Sequence, residues 1–244
     1  MTAESLESKK AYQNRYIHKR YVTRRRILRL LIKWVGFPLL VKLDGVEGVE
    51  KIPQSGPAIL MINHIAFVDP IMVLQLVPRD IVPMAKIEVY HYPVVGIFPR
   101  IWGVIPVRRE EADRQAVQRA MDVLRAGEII LVAPESTRSP QLQTGKEGVA
   151  YLASRSGAPV VPIAITGTVG FPALRFTRRW RKPGVRIRFG SPFRYKSRFE
   201  KADRNQLRKM TDEAMYVLSG MLPERQRGVY ADLSQATQET LEWL

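Results

Sequence analysis

The chain has 244 residues, room for one large α/β domain or for one domain with an appended helical element, and 45% apolar with 25% charged residues is ordinary globular usage. It holds no cysteine, which excludes disulfides, a thiolate nucleophile and cysteine-ligated metal, and its three histidines (His18, His64 and His91) lack zinc-type spacing. The net charge of +16 is concentrated: eleven Lys or Arg and no acid lie from Lys9 to Lys42, ten more and again no acid from Arg175 to Arg198, leaving the remainder at about −5.

Two basic segments, not a generally basic surface, face something anionic: a phospholipid surface, a nucleic-acid backbone or an acidic carrier protein. The first residues are polar and lack the apolar core of a secretory signal, so none is expected. Residues from about Lys9 to Val35 are predicted to form a long basic helix. Arg15, Lys19, Arg26, Arg29 and Lys33 fall within about 80° of one another, with Ile17, Tyr21, Leu28, Leu31 and Val35 opposite. Pro38 is expected to break it before a short apolar element, Leu39 to Val41. The longest uncharged run here, Trp34 to Val41, is eight residues, far short of the roughly 20 that span a bilayer. A basic amphipathic helix with Trp34, Phe37 and Leu40 near its end is suited to lie in a membrane interface, or alternatively to dock on the protein's own core with a solvated basic face.

Beyond it, strands are expected at Ala58–Asn63, Ile81–Ala85, Gly103–Arg108, Glu128–Ala133, Val160–Thr166 and Val185–Gly190, and helices at Pro70–Leu76, Glu111–Ala126, Glu147–Ser156 and Ala202–Met221. This alternation predicts an α/β fold with a mostly parallel central sheet flanked by helices, divided into residues 1–43 as the interface element, 44–227 as the α/β domain and 228–244 as a tail. The tail has no Lys or Arg after Arg227 and either caps the core or stays loose. Pro162, inside an apolar run, points to an edge or a bulge.

The candidate site begins with His64 and Asp69 in Asn-His-Ile-Ala-Phe-Val-Asp-Pro, directly after an apolar strand. An imidazole leaving a strand and a carboxylate opening the next helix can fold back on one another, so that the carboxylate fixes the tautomer and strengthens the base. Without a protein nucleophile, such a base suits direct attack by a substrate hydroxyl. Asp69-Pro70 is equally a helix start, with Asp as N-cap and Pro at the first helical position. Arg109 and Arg138 follow other strand ends, where ligands of open α/β sheets gather, and a guanidinium fork matches two phosphate oxygens.

The blocks His64-x4-Asp69, Gly103-x3-Val107-x-Arg109, Pro134-Glu135-x-Thr137-Arg138-Ser139 and Val161-Pro162-Ile163, with Lys146-Glu147-Gly148 after the third, match in order and spacing the motif blocks of another group of proteins. The sequence resembles the PlsC-like glycerolipid acyltransferases, which include lysophosphatidic acid (1-acylglycerol-3-phosphate) acyltransferases and glycerol-3-phosphate acyltransferases. The resemblance covers about Gly45 to Gly190. It implies O-acyl transfer from acyl-CoA or an acyl carrier protein to the sn-2 hydroxyl of 1-acylglycerol-3-phosphate, giving phosphatidic acid, at a membrane's cytoplasmic face. His64 and Asp69 would be catalytic, and Arg109, Glu135, Ser136, Thr137, Arg138 and Lys146 would shape the acceptor site. No cofactor, metal or nucleic-acid partner is expected. The third block departs from the family, which has glycine where Ser136 stands; if that position needs a positive φ, serine costs about 1 kcal/mol. Two alternatives stay open: the same chemistry on glycerol-3-phosphate or a lyso-aminolipid, and a non-catalytic basic binder of anionic membrane or nucleic acid.

Overall fold

The computed structural model describes residues 17–93, 95–108, 113–196 and 201–244. Short apolar runs fill the sheet. Its strands are β1 (Leu43–Glu47), β2 (Ala58–Ile62), β3 (Ile81–Lys86), β4 (Ile105–Val107), β5 (Ile129–Val132), β6 (Val160–Thr166), β7 (Val185–Phe189), β8 (Phe193–Tyr195) and β9 (Leu241–Trp243). The order is β1-β7-β6-β2-β5-β3-β4, with β8 pairing β6 and β9. The block from β6 to β4 through β2 is parallel, whereas β7 and β8 run antiparallel to β6. All five side chains of β2 are buried, because β2 is flanked by β5 and β6 and covered on both faces. The six expected strands are present; β1, β8 and β9 come in addition.

Pro162 is not on an edge. It sits in β6 opposite Met61 of β2, but its carbonyl accepts the Gly190 backbone N–H at 2.8 Å. The absent N–H therefore faces the same side, where the neighbour of β6 changes from β7 to β8 and the ladder is interrupted. A proline there forfeits little pairing.

Two apolar layers sandwich the sheet. On one face α5 (Arg114–Arg125), α6 (Gly148–Ser156) and α7 (Arg204–Gly220) pack over Ile59, Met61, Val82 and Ile130. On the other, α3 (Val68–Leu76) and α4 (Ile97–Trp102) cover Leu60, Ile62, Ile81 and Leu131. The tail is fixed in place. Buried Glu213 of α7 accepts from Thr237 Oγ1 at 2.7 Å, Glu239 N at 3.0 Å and Thr240 N at 2.9 Å, and β9 joins β8.

The N-terminal helix expected over Lys9 to Val35 is described from Ile17 on; residues 9–16 lie outside the described residues. A 3-10 turn (His18–Tyr21) leads into α1 (Val22–Leu31), a π-helical turn (Ile32–Gly36) and α2 (Phe37–Leu40) without a gap. Pro38 does not break the run: it falls in the first turn of α2, just after the widened turn, where a missing N–H and a bulky ring are tolerated.

The docked face of α1 is also rotated from the expected one. Arg25 is buried and its Nε donates to the Trp102 carbonyl at 2.7 Å. Arg29, expected on the basic face, donates to the carbonyls of Val77 and Arg79. Leu28, Ile32, Phe37 and Leu40 pack against the core, while Ile27, Leu30, Leu31, Trp34, Val35 and Leu39 are exposed. Among the described residues no helix is long and apolar enough to cross a membrane.

Candidate active site

β2 ends at Ile62 and hands the chain to Asn63, whose side chain exchanges two hydrogen bonds with the Ile165 backbone of β6, at 2.9 and 2.7 Å. That amide bridge replaces the next ladder rung and turns His64 out of the sheet at its carboxyl edge. His64 Nδ1 then lies 3.1 Å from Asp69 Oδ2. The same oxygen accepts the Ile65 and Ala66 backbone N–H groups at 2.6 and 2.7 Å. Asp69 is not the N-cap but the second residue of α3, and its carboxylate binds the turn upstream of the helix. A wholly buried carboxylate so held fixes the imidazole with its proton on Nδ1, leaving the Nε2 lone pair free to take a proton.

His64 is 19% exposed and opens onto a cavity of about 910 Å³. Phe67, Pro83, Val89, Phe98, Pro99 and Val104 line its apolar part, and the cations Lys86, Arg108, Arg138 and Lys146 outnumber the carboxylates Asp113 and Glu147 among its lining residues. Ser136 and Thr137 line it too. Thus His64, Ser136, Thr137, Arg138 and Lys146 share one cleft. Arg109 lies outside the described residues.

Glu135 does not share it. This buried carboxylate sits behind the cleft, where Oε1 accepts the His64 backbone N–H at 3.2 Å and Oε2 the Gln143 N–H at 2.8 Å. Burial pushes its carboxyl up to about 7; the two N–H groups oppose this, and nearby Asp69 adds to it. Its geometry is that of a bracket for the His64 turn, reinforced by the Ser139 N–H on the His64 carbonyl at 2.8 Å. Ser136 has φ 56, so this position does take the left-handed conformation that a glycine would adopt without strain.

Gly103 is the αL cap of α4, not the start of a strand. A Cβ there would meet the Tyr21 ring at 2.6 Å, so this block glycine seats the N-terminal helix.

A second group was missed by sequence reasoning. Arg208 of α7 forks onto Asp212 at 3.0 and 2.7 Å, and also reaches the Gly145 carbonyl at 2.6 Å and Glu147 at 3.0 Å. Tyr230 donates to Asp212 at 2.9 Å and accepts the Gly145 N–H at 3.2 Å. Together with the Lys146 N–H on the Pro134 carbonyl at 2.9 Å, they clamp the segment that carries Lys146. Nothing in the local sequence marks a contact spanning 85 residues.

Fold and site define a class: an α/β protein whose carboxylate-braced imidazole, at the carboxyl edge of a mostly parallel sheet, opens onto a large, mainly apolar cleft with more cations than carboxylates in its lining. Residues 45–166 match the model of the Acyltransferase family, and the chain belongs to that family. It is 32% identical over 128 residues to a chloroplastic 1-acyl-sn-glycerol-3-phosphate acyltransferase of Arabidopsis thaliana, covering 50% of this chain and 36% of the relative. It is 32% identical over 130 residues to a 1-acyl-sn-glycerol-3-phosphate acyltransferase of Borreliella burgdorferi, covering 52% of each. The matches therefore span a third to a half of these relatives' lengths. The crystal structure of the 1-acyl-sn-glycerophosphate acyltransferase PlsC from Thermotoga maritima superposes with a TM-score of 0.60 at 25% identity, over 89% of this chain and 86% of that one.

Proposed function

We propose that the protein transfers a fatty acyl group from an acyl-CoA or acyl-carrier-protein thioester to the sn-2 hydroxyl of 1-acylglycerol-3-phosphate, at a membrane surface. The observation that carries this reading is the Asp69-braced His64 on the wall of a cavity that is mainly apolar, as an acyl chain needs, and is also lined by Arg138 and Lys146, which suit a phosphate. His64 Nε2 takes the hydroxyl proton as the oxygen attacks the thioester carbonyl. The C–S bond then breaks, the ester remains, and the proton passes to the departing thiolate. Asp69 stabilises the imidazolium formed on the way. Arg138 and Lys146, with Arg109 by family resemblance, hold the acceptor phosphate; Ser136 and Thr137 shape the wall beside it. The exposed Ile27, Leu30, Leu31, Trp34 and Leu39 rest in the interface, which spares the substrates extraction into water at about 0.8 kcal/mol per methylene.

Mass spectrometry of products from purified protein, lysophosphatidate and each thioester tests the reading directly. Phosphatidic acid is expected, with turnover lowered about 10²–10⁴-fold in His64→Ala and strongly in Asp69→Asn, at unchanged thermal stability for the first. Near-normal turnover in His64→Ala would overturn the mechanism. Product only from glycerol-3-phosphate or a lyso-aminolipid would move the acceptor.

A further inference from the structure

Of the basic segment from Arg175 to Arg198, the described residues 175–196 do not line the cleft, and the structure divides them; residues 197–200 lie outside the described residues. Arg186 and Arg188 lie on β7, where Arg188 pairs with Glu47 of β1 at 3.0 Å. Phe193 is fully buried, so it is not an aromatic interleaved with surface cations. Arg194 is on β8 and Lys196 Nζ bonds the Glu239 carbonyl, whereas Arg175, Arg178, Arg179, Arg181 and Lys182 lie in the loop of residues 168–183, between β6 and β7. At its tip Phe176 is 91% exposed, the highest value among the exposed large apolar side chains of the described residues, and Leu174 and Val169 beside it are exposed at 58% and 63%. Arg175, Arg178, Arg181 and Lys182 are exposed in the same loop. Among the described residues none of these four has an acidic partner within ion-pair distance.

The loop is held in shape. Arg179 turns inward, donating to the carbonyls of Val169 at 2.7 Å, Pro183 at 2.9 Å and Gly167 at 2.5 Å, with its guanidinium 3.9 Å from the Phe171 ring centroid. Trp180 Nε1 donates to the Ala173 carbonyl at 2.7 Å, and Thr177 Oγ1 to Leu174 at 2.8 Å. Arg179 thus holds a loop that presents a bare phenylalanine and four exposed cations, one of which, Arg175, lies over the Trp180 ring at 6.0 Å.

Its position matters equally. β6 runs parallel to β2 with Ile163 beside Ile62, so the loop leaves the sheet at the edge from which His64 emerges. The Ala173 N–H also bonds the Leu40 carbonyl at 2.9 Å, and Lys42 Nζ the Lys182 carbonyl at 3.2 Å. These bonds fix the loop to the end of the N-terminal helical run, beside exposed Leu39.

We propose that residues 168–183 are a second contact with an anionic phospholipid surface, Phe176 entering the headgroup region and the four cations meeting lipid phosphates. With the N-terminal helix this makes a two-point attachment that turns the carboxyl edge of the sheet, and the His64 cleft with it, towards the bilayer. An exposed aromatic on a loop that also exposes four cations combines the two forces of interfacial binding, apolar burial and attraction to anionic lipid, and a pre-shaped loop loses little ordering entropy. The proposal rests on the membrane-surface reading above but not on acyl transfer.

Because the chain has no cysteine, Phe176→Cys and Trp34→Cys can each be labelled at one site with an environment-sensitive dye in the full chain. Both positions are exposed, so both variants should fold. With phosphatidylglycerol vesicles, emission is expected to shift to the blue at both positions. Arg175→Ala/Arg178→Ala/Arg181→Ala, unlabelled, should partition onto these vesicles about 10²-fold more weakly, with unchanged turnover of a short-chain soluble acceptor. A shift at position 34 alone overturns this proposal and leaves the membrane reading standing. No shift at either position overturns both. If the triple variant binds vesicles normally but has a raised KM for the acyl-carrier-protein donor alone, the loop is a carrier dock and the proposal fails.

Discussion

At Glu135 burial and hydrogen bonding pull in opposite directions. The ionised form accepts both the His64 and the Gln143 N–H, whereas the protonated form has a hydrogen to place and keeps only part of the bracket. With its carboxyl raised from 4.5 to about 7, the folded protein holds a proton that the unfolded chain has released between those values. The group's contribution to stability is therefore complete below about pH 4.5 and is lost as pH rises through about 7. Glu135→Gln removes this titration and sets an NH2 against one of the two N–H groups. Turnover should fall about 10–100-fold, the equivalent of one charge-assisted hydrogen bond. The thermal midpoint of the parent should decline more than the variant's between about pH 5 and about pH 8. Identical pH profiles of stability would show that Glu135 does not titrate there. Ser136 carries the opposite kind of cost. At φ 56, replacement by glycine relieves roughly 1–2 kcal/mol of left-handed strain against about 0.4–1 kcal/mol of added unfolded-state freedom. Ser136→Gly should raise the melting temperature by about 2 °C, read by calorimetry; a lower melting temperature would mean that the hydroxyl makes a compensating contact.

Among the elements, the N-terminal helix shows where periodicity misleads. Its apolar side chains are split: Leu28, Ile32, Phe37 and Leu40 pack on the core while Leu31 and Val35, expected beside Leu28, are exposed, and Arg25 and Arg29 reach carbonyls of the core on the docked face. The basic side read as wholly solvent- or lipid-facing is partly internal. Removing residues up to Val41 would strand the Trp102 and Val77 carbonyls and bare the Gly103 seat of Tyr21. The truncated chain should therefore melt well below the full one, and Arg25→Ala alone should cost about 2 kcal/mol by leaving a buried carbonyl unpaired, whereas Trp34→Ser should be nearly neutral. Equal melting of the truncated and full chains would show that the helix is separable. Elsewhere, long buried strands announced themselves as apolar runs, but β1 did not: Asp44 and Glu47 are in it, and most of its side chains are exposed. Helix α4 was hidden because it has only six residues, Pro99 among them.

For the molecule as a whole, legibility followed sequence distance. His64 and Asp69 are five residues apart, and the strand–turn–helix between them is written locally, so their meeting could be anticipated. That Glu135 lies behind the cleft could not, since a motif carries no record of burial. Nor could the clamp of Arg208, Asp212 and Tyr230, whose side chains meet Gly145 only through tertiary packing. The charge map behaved similarly: Arg188 found Glu47 and Lys42 lies 3.7 Å from Asp44, neither of which a run of like charges in the sequence records.

The Tyr230 clamp also bears on how this fold can be divided. The matched family segment ends at residue 166, yet the support for Lys146 comes from residues 208–230, and Glu213 ties the last strand to the same helix. The natural unit of transplantation is accordingly not the motif-bearing segment. A chimaera joined at residue 166 would inherit every recognisable signature while borrowing its back wall from a foreign partner. Exchange of parts between relatives should succeed only when the junction lies upstream of β1 or when the donor sequence is carried through to Leu244.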